Sequence, residues 1–207
     1  MTAQPECTAP GKRPGGLPEW MYPPRPEGWI AEDLDDLPEA PAHTELIDGA
    51  LVFTVSPQRS WHGRTVTSMT VMLKRQAPEG TTVEREMTVK LDRYNRPEPD
   101  VLFAPIPFES ERTCFAAADV ALAVEVVSPE SAHRDRRVKP GKYAEAGIAH
   151  FWRVENEDDV PVVHTYERDA TTGLYAPTGV FRKRLEVSLP FPVSADLERL
   201  LPTMGLG

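Results

Sequence analysis

The chain has 207 residues, a formal net charge of −9 and 40% hydrophobic residues. This length and hydrophobic content suffice for one globular domain and exclude a chain that is disordered throughout. The acidic balance argues against a broad basic surface for nucleic acid, but it does not exclude a single basic groove.

The cysteine content and the apolar segments indicate the compartment. Cys7 and Cys114 lie far apart without zinc-ligand spacing, which gives neither a disulfide framework nor a zinc module. No stretch approaches the roughly 20 consecutive apolar residues of a membrane helix, and prolines interrupt the N-terminal segment where a signal peptide would be apolar. We therefore expect a cytoplasmic protein that has no membrane partner.

The N-terminal segment differs in composition from the rest of the chain. Residues 1–42 are rich in proline and glycine, which predicts an irregular arm with a short helical turn at 31–37. We expect residues 43–207 to form a single domain.

The first half of this domain has clear local patterns. Two apolar runs around Asp48-Gly49 predict a β-hairpin at 45–55. Helical spacing of Val66, Met69 and Leu73 predicts a helix over 61–76 with Ser60 as its cap. Alternation and apolar runs predict strands at 82–92, 100–103 and 120–127.

The second half begins with a predicted helix over 134–146 that Gly147 ends. Pro140 either kinks this helix or marks its first turn. Strands at 148–154, 160–166 and 175–187 and a short helix over 194–200, capped by Ser194, are predicted to follow. This order indicates an α/β fold with a central mixed β-sheet flanked by helices, with additional β-hairpins.

Two acids within apolar strands are the strongest functional signal. Glu125 lies in the middle of the apolar run 121–127, where an unpaired carboxylate costs several kcal/mol. Asp100 precedes another apolar strand, and a cluster of cations follows between Arg134 and Lys142. This layout predicts a metal site that faces phosphate.

Phosphodiester hydrolysis needs a divalent metal, and Mg²⁺ is held by one or two carboxylates with waters and substrate oxygens. Asp100 and Glu125 fit that need, and the backbone carbonyl of Val126 is a natural further ligand. A cation near the attacking water would orient it and offset the charge that develops on the phosphate. Lys139 is the best candidate for this cation.

Several motifs together resemble a known family. They are Glu-Leu-Ile-Asp-Gly at 45–49, His62 after Ser-Pro, Pro-Asp-Val at 99–101, Val-Glu-Val-Val-Ser-Pro at 124–129, and Arg-Asp-Arg at 134–136 leading to Lys139 and Tyr143. Over residues 43–157 the chain resembles the Uma-two-type restriction endonucleases of the PD-(D/E)XK nuclease superfamily.

The resemblance implies a restriction-endonuclease-like core and Mg²⁺-dependent cleavage of DNA, with Mn²⁺ able to substitute. It implies that Asp100 and Glu125 are metal ligands and that Glu45 is a third acid of the site. Val127 stands where the superfamily has its lysine, two residues after the glutamate. The resemblance suggests that Lys139 takes this role, with Lys142 as the substitute.

Other interpretations of the same residues stay open. Glu125 alone could form a salt bridge in the core, and Tyr143 reads as a core residue. Arg134, Arg136, Arg137 and Lys142 either contact a DNA backbone or form a solvated helical face. His62 is interpreted either as an accessory residue of the site or as a helix-capping residue.

Two rival functions fit the same sequence. One is a catalytically weak module with a nuclease fold that binds nucleic acid or protein, which the acidic charge and the displaced lysine favour. The other is hydrolysis of a small phosphoester. For the nuclease, cutting both strands of DNA needs two sites, so we expect a homodimer. The choice between DNA and RNA stays open.

Overall fold

The computed structural model describes residues 16, 18–37, 39–53 and 59–201 of the chain. Within them, twelve strands and two α-helices are formed, together with short 3₁₀ segments and a π-helical turn. The strands are β1 (Glu45–Ile47), β2 (Ala50–Val52), β3 (Thr82–Arg85), β4 (Thr88–Lys90), β5 (Val101–Ala104), β6 (Cys114–Ala116), β7 (Leu122–Val126), β8 (His150–Glu157), β9 (Val160–Arg168), β10 (Tyr175–Phe181), β11 (Arg184–Val187) and β12 (Val193–Asp196). The helices are α1 (Ser60–Gln76) and α2 (Lys139–Glu145), and the π-helical turn is Arg134–Val138.

Six strands form the central sheet in the order β10-β9-β8-β7-β5-β3. The pair β7 and β8 is parallel, and the other neighbouring strands are antiparallel. The remaining strands form two-stranded sheets, which are β1-β2, β4-β6 and β11-β12. The predicted α/β class with a central mixed sheet and additional hairpins is confirmed.

Alternation along β7 divides its side chains between two apolar clusters. Leu122, Val124 and Val126 face the cluster that contains the apolar side of α1. Ala123 faces the opposite cluster, which contains Tyr143 of α2. By the same alternation Glu125 belongs to the α2 face, so the buried acid of the central strand lies beneath the helix that carries the candidate lysine.

The hairpin and first helix follow the local sequence patterns. The predicted hairpin is confirmed as β1 and β2 around Asp48-Gly49, both with positive φ, while residues 54 and 55 of that prediction lie outside the described residues. Helix α1 is confirmed, but Ser60 is its first helical residue. Arg59 occupies the cap position, and no side chain caps the helix.

The predicted strand over 82–92 is wrong as a single element. Glu86 adopts a left-handed φ of 53°, which separates β3 in the central sheet from β4, the parallel partner of β6. The predicted strand at 175–187 likewise divides into β10 and β11, which belong to different sheets. Alternation resumes at Met87 directly after the first break and so does not reveal that change of sheet, whereas Arg182-Lys183-Arg184 interrupts the alternation at the second break.

The helix predicted over 134–146 consists of the π-helical turn and α2. Pro140 is in the first turn of α2, and that turn continues directly from the π-helical turn, since the Lys139 N–H donates to the Arg134 carbonyl. Gly147 follows the helix with a φ of 88°, as its predicted role requires.

The short C-terminal helix predicted over 194–200 is wrong. Residues Val193–Asp196 form β12, which pairs with β11 in antiparallel register. Val193 and Leu197 are buried while Ser194 and Asp196 are exposed, so the burial alternates with a period of two. That alternation is typical of a strand that has one face on the core.

The N-terminal part of the described chain contacts the domain. The predicted helical turn is a 3₁₀ helix, Ala31–Asp36. Trp29 and Ala31 form a buried cluster with Leu46 of β1. The division of the chain at residue 42 stays a prediction. Among the described residues, no helix combines the length and the apolar character needed to cross a bilayer.

Candidate active site

The register of the central sheet brings Asp100 and Glu125 together. Val101 of β5 pairs with Val124 of antiparallel β7, so continuing the register by one residue places Asp100 opposite Glu125. Directly opposed side chains on one face lie about 5 Å apart at Cβ. The backbone N–H of Val126 donates a hydrogen bond to Asp100 Oδ2 at 2.6 Å, which fixes this carboxylate at the edge of β7.

Both oxygens of Glu125 have partners from α2. Lys139 Nζ lies 3.1 Å from each carboxylate oxygen, and the Tyr143 hydroxyl donates to Oε1 at 2.6 Å. Lys139 and Tyr143 are four residues apart, which places them on one face of the helix. Glu125 is only 2% exposed, and these contacts supply the positive partner that its burial demands.

Lys139 joins a second acid to the first. Its ammonium lies 2.8 Å from Glu45 Oε1 on the hairpin and 3.4 Å from the backbone carbonyl of Glu98. Glu45 Oε1 also accepts the backbone N–H of Glu98 at 2.8 Å. The β1-β2 hairpin, the segment before β5 and α2 therefore meet at one ammonium group.

Burial and charge act in opposite directions on Lys139. Burial alone would lower the pKa of its ammonium, but the charges of Glu125, Glu45 and Asp135 outweigh burial and raise that pKa well above its usual value. Burial raises the pKa of Glu125, with Lys139 opposing the rise and the neighbouring acids adding to it. Lys139 is therefore charged at neutral pH, and its ammonium lies among three acids, Glu45, Glu125 and Asp135.

Asp135, in the π-helical turn, is an acid of the site that the sequence did not single out. It is 1% exposed, and its Oδ1 lies 3.8 Å from Lys139 Nζ, too far for a hydrogen bond. Burial raises the pKa of Asp135 to about 6, while Lys139 and the nearby Ser131 hydroxyl oppose that rise. The Ser131 hydroxyl bonds Ser128 at 3.0 Å, and no hydrogen bond of normal geometry from the described residues reaches either Asp135 oxygen.

His62, at the start of α1, approaches the site from the other side of the sheet. Its Nε2 lies 3.4 Å from Asp100 Oδ1, and its ring is largely buried. Burial opposes protonation of the ring, but the Asp100 carboxylate outweighs burial and raises the pKa of His62. The structure therefore places His62 beside Asp100, a candidate metal ligand.

These side chains border a cavity of about 230 Å³. Seven acids line it, against three lysine or arginine side chains, so its lining is predominantly acidic. The lining residues are His43, Glu45, Arg59, His62, Glu86, Glu98, Asp100, Glu125, Ser128, Glu130, Ser131, Arg134, Asp135 and Lys139.

The oxygen groups at this edge fit a hard divalent cation. Val127 N–H donates to Val154 of β8, whereas Val126 N–H donates to Asp100, so the backbone groups of Val126, its carbonyl included, face the Asp100 side. No set of three or more His, Cys, Asp or Glu side chains in the described part of the chain is arranged to hold a metal. Mg²⁺ needs only one or two carboxylates, since waters and substrate oxygens complete its shell. The donor chemistry and the acidic lining therefore suit such an ion.

The cations predicted to contact DNA fall into different environments. Arg134 lines the cavity. Arg136 forms a two-point ion pair with Glu155, at 2.9 and 2.6 Å, and Lys142 pairs with Asp48. Arg137 is exposed. Lys142 does not line the cavity, so of the two candidate lysines it is Lys139 that lies among the acids.

Sequence reasoning missed two contributors to this cluster. Asp135 precedes Lys139 by four residues, a helical spacing that could have identified it. Tyr143 is buried as predicted, but its hydroxyl also bonds Glu125, which no local pattern reveals. Buried tyrosine hydroxyls usually find a partner, and that general rule was the available signal.

Comparisons with known proteins agree with this architecture. A crystal structure of a "putative nuclease belonging to DUF820" from Anabaena variabilis ATCC 29413 matches with a TM-score of 0.63 and 17% sequence identity, covering 82% of this chain and 96% of that one. At this identity the match shows a shared fold. No curated protein matches the chain. The model of the Uma2 family, described as "Putative restriction endonuclease", matches residues 31–202. The chain therefore belongs to the Uma2 family, as the sequence motifs predicted.

Proposed function

We propose that this protein is a Mg²⁺-dependent endonuclease that hydrolyses phosphodiester bonds of DNA. One observation carries the proposal: the Asp100 carboxylate accepts the backbone N–H of Val126, next to Glu125 and its lysine partner Lys139, at a cavity with a mostly acidic lining. The membership of the Uma2 family and the nuclease-like fold support a nuclease function.

Asp100, Glu125 and the backbone carbonyl of Val126 would hold the metal ion. When bound, Mg²⁺ would polarise the scissile phosphate and lower the pKa of a coordinated water. Mn²⁺ should substitute, because it accepts the same carboxylate and carbonyl oxygens. The Val126 N–H holds Asp100 in place for this role, and His62 restricts the movement of the same carboxylate.

Lys139 would act as a hydrogen-bond donor and a fixed positive charge. Its raised pKa keeps the ammonium protonated at neutral pH, so it does not accept the proton of the attacking water. It would orient that water and offset the charge that develops on the phosphate. Glu45, 2.8 Å from the ammonium, keeps the lysine side chain at the cavity.

The substrate contacts would come from cations whose charge is not already neutralised. Arg134 lines the cavity and Arg137 is exposed on the same turn, so both suit contacts to phosphate. Arg136 and Lys142 pair with Glu155 and Asp48, which leaves less charge for DNA. Cleavage of both strands would use a homodimer, with one site for each strand.

The test is Mg²⁺-dependent nicking of plasmid DNA by wild type and by Glu125→Gln. The substitution keeps the shape and an oxygen acceptor for Tyr143 while removing the charge. We expect activity to fall by more than about 100-fold, because even the outer partners of metal ligands are worth 10- to 100-fold. Glu157→Gln is the matched control, since Glu157 lies at the far end of β8 and its ion pair among the described residues is with Arg182. Equal nicking by the two variants would contradict the proposed ligand.

One observation favours a rival, in which the nuclease fold serves as a binding module without catalysis. Lys139 and Tyr143 already occupy both oxygens of Glu125, so this buried carboxylate has its partners without a metal ion. DNA binding without any Mg²⁺-dependent product, in wild type and Glu125→Gln alike, would support this rival. Turnover of mononucleotides instead of plasmid would indicate a small phosphoester as the substrate.

A further inference from the structure

The carboxylate of Asp135 is buried without a hydrogen bond of normal geometry from the described residues, beside the ion pairs of Lys139 with Glu45 and Glu125. A buried polar group that lacks a partner costs about 1–3 kcal/mol, and more when it is charged. Such groups are rare in folded proteins and call for an explanation. Asp135 is also one of the residues that line the cavity.

The nearest cation to Asp135 is the ammonium of Lys139. Lys139 Nζ is 2.8 Å from Glu45, 3.1 Å from Glu125 and 3.8 Å from Asp135. Charge-assisted N–H···O bonds are about 2.7–2.9 Å long, so a shift of roughly 1 Å would bring the ammonium into hydrogen-bond contact with Asp135. The flexible four-carbon lysine side chain can make such a shift while keeping Glu45.

The proposed metal site creates a need for this shift. Both oxygens of Glu125 are occupied by Lys139, and one of them also by Tyr143. A metal ion at Glu125 would compete with the ammonium for the same oxygens and would repel it. A buried ammonium that loses one partner is strongly destabilised unless another acceptor lies within reach.

We propose that Asp135 is the positioning residue for Lys139, the acceptor to which the ammonium moves when a divalent ion takes Glu125. This inference rests on the proposed metal site. In the metal-bound state Lys139 is held by Glu45 and Asp135, facing the cavity from the side of the π-helical turn. Asp135 thereby keeps the lysine charged and directed at the attacking water instead of at the metal ligand.

The local fold supports this role. Asp135 and Lys139 are four residues apart and both are buried on the cavity side, one within the π-helical turn and one at the start of α2. Isolated π-helical turns occur frequently at functional sites. No other described lysine or arginine lies within ion-pair distance of Asp135, so its only cationic partner is the candidate catalytic lysine.

The experiment is a double-mutant cycle on metal binding, read without reference to nuclease activity. Mn²⁺ affinity is measured by electron paramagnetic resonance of the free ion, at mildly alkaline pH, for wild type, Asp135→Asn, Lys139→Met and the double variant. We expect Asp135→Asn to weaken Mn²⁺ binding by about tenfold when Lys139 is present and by clearly less in the Lys139→Met background. The difference arises because only a protein with Lys139 needs a second acceptor for the ammonium.

Three outcomes would overturn the inference. An equal loss in both backgrounds would make Asp135 a metal ligand or a distant charge, and no loss in either would make it structural. Absence of Mn²⁺ binding by wild type would refute the proposed metal site and this inference with it. Asp36→Asn, at an exposed acid away from the cavity, is the matched control. If Asp135→Asn does not fold, Asp135→Ser removes the same charge with a smaller side chain.

Discussion

Two sets of ion pairs lie within one short stretch of the chain and differ in their surroundings. Lys139 is 6% exposed and contacts Glu45 and Glu125 inside the cavity. Three residues earlier, Arg136 is 48% exposed and pairs with Glu155 on the surface. Exposed pairs contribute about 0–1 kcal/mol to stability, whereas breaking a buried pair costs about 3–5 kcal/mol. Burial, more than the number of contacts, separates a candidate catalytic cation from an ordinary surface cation.

Replacing the buried lysine tests this difference most strongly. Lys139→Met should lower the free energy of unfolding by about 3–5 kcal/mol at neutral pH, because buried Glu125 and Asp135 lose their cation. Lys142→Met, which breaks only the partly exposed pair with Asp48, should cost less than about 1 kcal/mol. Urea unfolding of both variants measures the two losses. Similar losses would show that burial does not set the strength of these pairs.

The pH dependence of stability tests the effect of burial at a single acid, Asp135. Its pKa is raised from 3.8 to about 6 in the folded protein, so its stabilising contribution is complete below pH 3.8 and is lost as pH rises through 6. Two pKa units correspond to about 3 kcal/mol. The Asp135→Asn variant has no carboxyl group at this position and does not undergo this loss. Its free energy of unfolding, relative to that of wild type, should therefore increase by on the order of 3 kcal/mol between acidic and neutral pH.

Urea unfolding of wild type and Asp135→Asn at several pH values checks this expectation. The exposed Asp36→Asn should show no comparable change across the same range. A pH-independent difference between wild type and Asp135→Asn would mean that the folded protein does not raise the pKa of this carboxyl group.

The smallest effect is expected at the surface cations. Arg137→Ala should weaken DNA binding a few-fold and reduce the salt dependence by about one phosphate contact. Arg136→Ala should reduce the salt dependence less, since the Arg136 guanidinium is paired with Glu155, a carboxylate that Arg153 also contacts. Affinity measured at several salt concentrations with a Ca²⁺-containing, non-cleaving buffer distinguishes the two. The opposite ranking would place the nucleic acid on the Glu155 side of the turn.

Much of the fold could be predicted because its signals are local. The spacing of Val66, Met69 and Leu73 predicted α1, and Asp48-Gly49 predicted the hairpin that carries Glu45. Predictions failed where pairing over long distances decides the structure. Ser194 resembles a helix cap, yet its segment pairs with β11, because the strand buries Val193 and Leu197 against the core.

The candidate site likewise has a part that the sequence predicted and a part that only the structure revealed. The sequence by itself determined that Asp100 stands at the start of an apolar strand, that Glu125 lies within another, and that Glu125 needs a cation, because burying a lone carboxylate is costly whatever the fold. Only the tertiary structure decided that the cation is Lys139 and not Lys142, and that Asp135 and Tyr143 lie beside it. The reason is that sheet register and helix packing determine which side chains lose water, and loss of water gives an ion pair its strength.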